Sequence, residues 1–175
     1  MSENGQRKTW QKPPVGFLKL NSDGSFYSEE KTGRWGFDIR DENGGVIKAA
    51  ARKETCVLDA FHAELLGVQA GLRMVASLGI SRLYIETDAT LVKEAVEGDE
   101  YRLSAMGGIV TEINHLLSSE FLFSWINVCP RACNKVAHML ASIGCKNPSE
   151  SVLTWDVVPQ EVGVLVSSDL AETHG

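Results

Sequence analysis

The chain has 175 residues, of which 43% are hydrophobic and 23% charged, with a formal net charge of −6. That composition supports a packed core and excludes a disordered chain, and no apolar run nears the roughly 20 residues a membrane span needs. The opening MSENGQRKTW has no apolar segment of the kind that directs secretion, so an intracellular protein is expected, nuclear or cytoplasmic. Four scattered cysteines are then expected as reduced thiols without disulfide partners. The charge is uneven, because residues 147–175 hold Glu150, Asp156, Glu161, Asp169 and Glu172 and no Lys or Arg. The nearly neutral body neither requires nor excludes a nucleic-acid partner, since local basic patches rather than totals set such affinity.

Residues 1–13 are polar and read as a flexible leader, stiffened at Pro13-Pro14. GFLKLNSDGSF (16–26) alternates, with Leu18 and Leu20 on one parity and Lys19, Asn21 and Asp23 on the other, which predicts a strand with one buried face. GRWGFDIRD (33–41) alternates likewise, with Trp35, Phe37 and Ile39 inward and Arg34, Asp38 and Arg40 outward. ENGG (42–45) signals a tight turn into a return strand over 46–53. The spacing of Phe61, Leu65, Val68, Leu72 and Val75 predicts a helix over 59–78, ended by Gly79. A short strand (81–88), helices over 89–97 and 104–119, a fifth strand (121–128) and a helix over 131–144 complete a domain at 14–146. The order β-β-β-α-β-α-α-β-α predicts an α/β fold, a five-stranded mixed sheet flanked by helices. Residues 147–175 read as an acidic extension with a short docked helix from Pro159, and as a surface for a protein partner.

Three carboxylates interrupt or end apolar segments: Asp23 near the end of the first strand, Glu64 within the first helix, and Asp88 at the end of the fourth strand. If the first and fourth strands lie parallel and adjacent, their carboxyl ends bring Asp23 and Asp88 together, where ligand sites of such sheets form, with Glu64 leaning over them. A carboxylate cluster is costly unless a cation neutralises it, and hard oxygen ligands suit Mg²⁺ or Mn²⁺. Two such ions about 4 Å apart can activate water and stabilise a leaving oxygen in phosphodiester hydrolysis. Taken singly, each acid has an ordinary reading: Asp88 as a helix cap, Glu64 as a solvated helix residue. It is the joint pattern that points to chemistry.

KLNSDGSF (19–26), GRWGFDIRDENGGVI (33–47), DAFHAELLGVQAGL (59–72), RLYIETDATLV (82–92) and RACNKVAHMLA (131–141), in this order, resemble a type 1 ribonuclease H domain. With the leader W-QKPPVGFLKLN from Trp10, the chain is most similar to plant ribonuclease H-like domains related to non-LTR retrotransposon reverse transcriptases. The resemblance implies the ribonuclease H-like fold and cleavage of the RNA strand of RNA–DNA hybrids with two Mg²⁺ or Mn²⁺ ions. It maps three family acids onto Asp23, Glu64 and Asp88, and backbone and amide contacts to nucleic acid onto Gly24, Ser25 and Asn134. The fourth family carboxylate falls on His138, whose imidazole can bind metal or shuttle a proton but adds no negative charge. Two further departures are Ala60 and Phe61 in place of a substrate-gripping polar pair, and a segment 97–108 without a basic handle. Weak hybrid binding is therefore expected, with Arg34, Arg40, Lys48 and Arg52 as the remaining basic surface.

Cys129, Cys133, His138 and Cys145 faintly echo a zinc knuckle, but on a helix they point in different directions, so small buried cysteines are expected instead. His62 and His115 read as structural or surface groups, and His174 lies in the tail. Two functions compete: a metal-dependent nuclease, and a catalytically weak or inactive domain that binds nucleic acid or a protein.

Overall fold

The apolar alternation at the start of the chain forms β1 (Leu18–Tyr27), and in the computed structural model, which describes residues 9–172, this strand lies at the centre of the sheet. Residues 1–8 of the leader, and His174, lie outside the described residues. β2 (Thr32–Arg40) and β3 (Val46–Glu54) return antiparallel as a meander, joined by the turn at 41–45, where Asp41 accepts the backbone N–H of Asn43 and Gly45. α1 (Ala60–Ser77), capped by Asp59 through the N–H of His62, crosses back so that β4 (Arg82–Thr87) pairs parallel to β1. α2 (Thr90–Glu97) and α3 (Gly107–Glu120) lead to β5 (Phe123–Val128), parallel to β4. A 3₁₀ turn at Arg131–Cys133 precedes α4 (Lys135–Lys146). The chain ends in β6 (Leu153–Trp155) and α5 (Gln160–Glu172).

The sheet order is β5-β4-β1-β2-β3-β6, six strands where the sequence predicts five. The added strand is three residues long, too short for an alternation to register, and it pairs antiparallel with β3 through Ala49, Ala50 and Ala51. The predicted helix over 131–144 is broken at Asn134, whose backbone (φ −127, ψ 20) is not helical and separates the 3₁₀ turn from α4. One face of the sheet packs under α1 and α3, with Leu20, Phe37 and Ile39 against Leu65, Val68, Leu72 and Ile113. The other face carries α4 and α5, with Ala49 and Ala51 against Val136, Leu140 and Val162. α4 lies directly on β2: a Cβ at Gly36 would sit 2.4 Å from the backbone nitrogen of Ala141.

That second layer corrects the predicted outward parity. Lys19, Asn21, Asp38 and Arg40 are all buried. Lys19 and Arg40 are paired there, Lys19 Nζ 3.1 Å from Glu86 and Arg40 donating to Asp169 at 2.7 Å and to the carbonyl of Gly44, whereas both Asp38 oxygens are buried without a hydrogen bond and burial pushes that carboxyl up to about 7. Trp10, counted in the leader, is 1% exposed and covers the Arg40 guanidinium 3.6 Å from its ring centre. The basic surface expected of the hairpin is thus largely engaged by the C-terminal extension. Asp169 takes Arg40, Asp156 takes Lys48, and the Glu150 carbonyl accepts from Arg52.

β5 forms the opposite edge of the sheet, and residues 121–130 carry no charge. Its Trp125, 49% exposed, stacks with Tyr84 and Phe123. Among the described residues no helix is long and apolar enough to cross a membrane.

Candidate active site

The parallel ladder of β1 and β4 ends on the pair Ser22 and Thr87, so the next residues, Asp23 and Asp88, emerge side by side at the carboxyl ends of two adjacent strands. Glu64 comes from the second turn of α1, which lies close because residue 24 lacks a side chain. A Cβ at Gly24 would stand 2.6 Å from both the Ala63 carbonyl carbon and the Glu64 nitrogen. Asp23, Glu64 and Asp88 each offer an oxygen within 4.8 Å of the others, close enough to hold a metal ion together.

Burial and mutual repulsion shape these acids. Desolvation, then the charges of Asp23 and Asp88, push Glu64 up to about 9, offset in part by the Gly24 backbone hydrogen bond. Desolvation first and Asp88 second raise Asp23, while a hydrogen bond from His138 and the nearby Arg131 act the other way. Asp23 Oδ1 and Glu64 Oε2 are buried with no hydrogen-bond partner. Orphaned carboxylate oxygens in a cluster of three acids fit a hard divalent cation, which would neutralise the repulsion and occupy those lone pairs.

His138, 42% exposed at its side chain, stands at the rim with Nδ1 2.8 Å from Asp23 Oδ2. Asn134 is buried beneath the start of α4, donating to the Ser22 carbonyl at 2.9 Å. Ser25 lies further along β1, its hydroxyl accepting from Arg34 Nε at 2.7 Å. The structure therefore brings Asp23, Glu64, Asp88 and His138 together, with Gly24 between Asp23 and α1, and leaves Ser25 outside the cluster.

Arg131 is a basic neighbour of the acids that the sequence reading did not name. Its Nε donates to Asp88 Oδ2 at 2.6 Å, its guanidinium reaches 4.0 Å from Asp23 Oδ1, and another nitrogen lies 2.9 Å from His138 Nδ1. His138 Nδ1 thus faces a donor-only guanidinium and a carboxylate, and can satisfy one at a time. The signal available in sequence was a lone arginine after Cys129-Pro130, just past the carboxyl end of β5, where the acids also collect.

No curated protein matches the chain by sequence. Among solved structures it is similar to RNase H1 from the halophilic archaeon Halobacterium salinarum, with 20% identity, TM-score 0.65, and coverage of 73% of this chain and 96% of that one. The N-terminal RNase H domain of a Mycobacterium tuberculosis protein, solved as a maltose-binding-protein fusion, gives 20% identity and TM-score 0.67 over 74% of this chain and 93% of that one. LC11-RNase H1, solved in complex with an RNA/DNA hybrid, gives 16% identity and TM-score 0.66 over 73% and 96%. At these identities the likeness establishes the fold, an RNase H-like α/β architecture. The family model described as reverse transcriptase-like matches residues 21–144, the segment that contains every member of the acid cluster, and the chain belongs to that family.

Proposed function

We propose that the chain is a metal-dependent endonuclease of the ribonuclease H type that hydrolyses the RNA strand of RNA–DNA hybrids, and that within its family it stands nearest the plant group related to non-LTR retrotransposons. The observation that carries this reading is the pair of buried oxygens on Asp23 and Glu64 that accept no hydrogen bond, within a three-carboxylate cluster. Asp23, Glu64 and Asp88 would hold Mg²⁺ or Mn²⁺, two ions when substrate is present, with His138 at the edge of the second position. Bound there, the ions supply an activated water and charge stabilisation for the leaving oxygen. Burial and the neighbouring acids raise both Asp23 and Glu64, an effect that bound cations would oppose. Gly24 lets α1 bring Glu64 close to the other acids, and by the resemblance the RNA strand would approach the backbone at Gly24 and Ser25. Asn134 fixes the start of α4, and so the place from which His138 extends.

Cleavage of a labelled hybrid with Mg²⁺ or Mn²⁺ tests the proposal, with Asp88→Asn as the control. Wild-type cleavage no greater than that of Asp88→Asn would end it. A second reading, a domain that binds nucleic acid but cleaves poorly, is favoured by Arg131, which already compensates Asp88, and by the tail groups that engage Arg40, Lys48 and Arg52. Full turnover in Mg²⁺ would remove it; tight hybrid binding with a steep salt slope would instead overturn the expectation of weak hybrid binding. A pure interaction module would be favoured by an acidic tail lying over the acids, and it gains no support, because Asp169 docks on Arg40, level with Lys19 rather than Asp23.

A further inference from the structure

Trp10 lies outside the segment 21–144 matched by the family, yet it is the start of a chain of hydrogen bonds that ends at the acid cluster. Its indole Nε1–H donates to Asn21 Oδ1 at 3.0 Å. Asn21 Nδ2 donates to Asn134 Oδ1 at 3.1 Å, and Asn134 Nδ2 donates to the Ser22 carbonyl at 2.9 Å. All three side chains are buried, at 1%, 2% and 1% exposure.

The direction of this chain is set at its first link. An indole N–H can only donate, whereas a side-chain amide can turn over and exchange its oxygen for its nitrogen. Trp10 thus matches the oxygen of Asn21 and reinforces the orientation that aims Nδ2 at Asn134. Asn134 must then present oxygen in turn, which leaves its own amide nitrogen for Ser22. Glu86, the Cys133 carbonyl and Asn134 Oδ1, all acceptors within 3.3 Å of Nδ2, favour the same orientation, and the indole supplies the donor that Oδ1 meets on the other side. Asn134 is the hinge between the 3₁₀ turn that carries Arg131 and the helix that carries His138, and its carbonyl accepts the His138 backbone N–H at 3.1 Å. Ser22 immediately precedes Asp23 and pairs with Thr87, which precedes Asp88.

We propose that Trp10 is a positioning residue for the acid cluster: its indole N–H orients Asn21 and, through it, Asn134, and so holds Arg131 and His138 against Asp88 and Asp23. The catalytic consequence rests on the nuclease reading; the orientation of the amides does not. The ring also covers Arg40, so the test must separate the N–H from the ring.

Placing β-(3-benzothienyl)alanine at position 10 keeps the bicyclic ring and removes the N–H; Trp10→Phe is the simpler second variant. Urea melts establish that each folds. Solvent exchange of the Asn21 and Asn134 side-chain amides and of the His138 backbone N–H is then followed by NMR without metal or substrate. The expected result is loss of protection at Asn134 and His138 while β2 and β3 amides are unchanged. In the hybrid assay, kcat falls about tenfold or more with KM unchanged, the scale seen when outer hydrogen-bond partners of a metal site are lost. Adding Asn134→Ala to the variant should cost nothing further in kcat. Wild-type protection at Asn134 and His138 in a folded variant would overturn the proposal. Unfolding of the benzothienyl variant would also overturn it, by making the N–H a requirement of folding. If the wild-type chain cleaves no hybrid, the nuclease reading fails and the exchange measurement alone decides the role of Trp10.

Discussion

Glu64 stores its carboxylate where a proton is preferred. The folded chain holds that proton up to about pH 9, whereas a free glutamate releases it near 4.5. This group therefore stabilises the metal-free fold fully below about pH 4.5, and the contribution is lost as pH rises through about 9. Glu64→Gln keeps the neutral form at every pH. It should melt higher than wild type in metal-free buffer at pH 8.5 and match it near pH 4, and equal melting temperatures at pH 8.5 would contradict the burial argument. At the rim, His138→Asp adds the negative charge that imidazole lacks, beside Asp23. It should lower the Mg²⁺ concentration that gives half-maximal hybrid cleavage, and no change would leave His138 a surface residue of α4. Asp23, Glu64 and Asp88 were legible in the sequence because a charge inside or at the end of an apolar run is conspicuous. Arg131 was not, because it sits in a turn without periodicity and its partner Asp88 is 43 positions away.

Two elements reach the acids by backbone contact, and both contacts depend on a missing side chain. Gly24→Ala would press a methyl group 2.6 Å from the backbone of α1 at Ala63 and Glu64. Because a helix backbone cannot swing aside as a side chain can, α1 must shift and take Glu64 with it. The expected cost is about 1–3 kcal/mol in denaturant melts, with a fall in kcat of about 10²-fold, as for a reacting group misplaced by about 1 Å. Gly36→Ala makes the same test on α4, at 2.4 Å from Ala141, and should destabilise at least as much; a melt unchanged from wild type would show that α4 is looser than its packing implies. The strands, turns and first helix were legible from alternation and spacing. The break at Asn134 was not, because Cys133 and Val136 are apolar on both sides of it and the stripe reads through a residue whose backbone is not helical.

Across the whole molecule, the sequence reading went astray where it took polar alternation for solvent exposure. Arg40 and Asp38 lie under a second layer made by the leader, α4 and α5, and no pattern within β2 could announce a cover supplied from distant parts of the chain, in Asp169's case 129 positions away. That cover should be energetically visible. Asp169→Ala strands a fully buried guanidinium and should cost about 3 kcal/mol or more, whereas Arg40→Met with Asp169→Leu should recover most of it. Equal destabilisation by single and double variants would show that α5 is held by Val162 and its apolar neighbours alone. The two ends of the sheet are finished differently: β6 and the acidic tail close one, and β5 leaves the other open with its aromatic stack. At physiological ionic strength the charge of −6 holds copies apart only over about 8 Å, and at 1 M salt over about 3 Å. Colloidal behaviour should thus be set at that bare edge: light scattering should rise with sodium chloride, and Trp125→Lys, which puts a cation where the strand has none, should suppress the rise without changing the melting temperature by more than a few degrees.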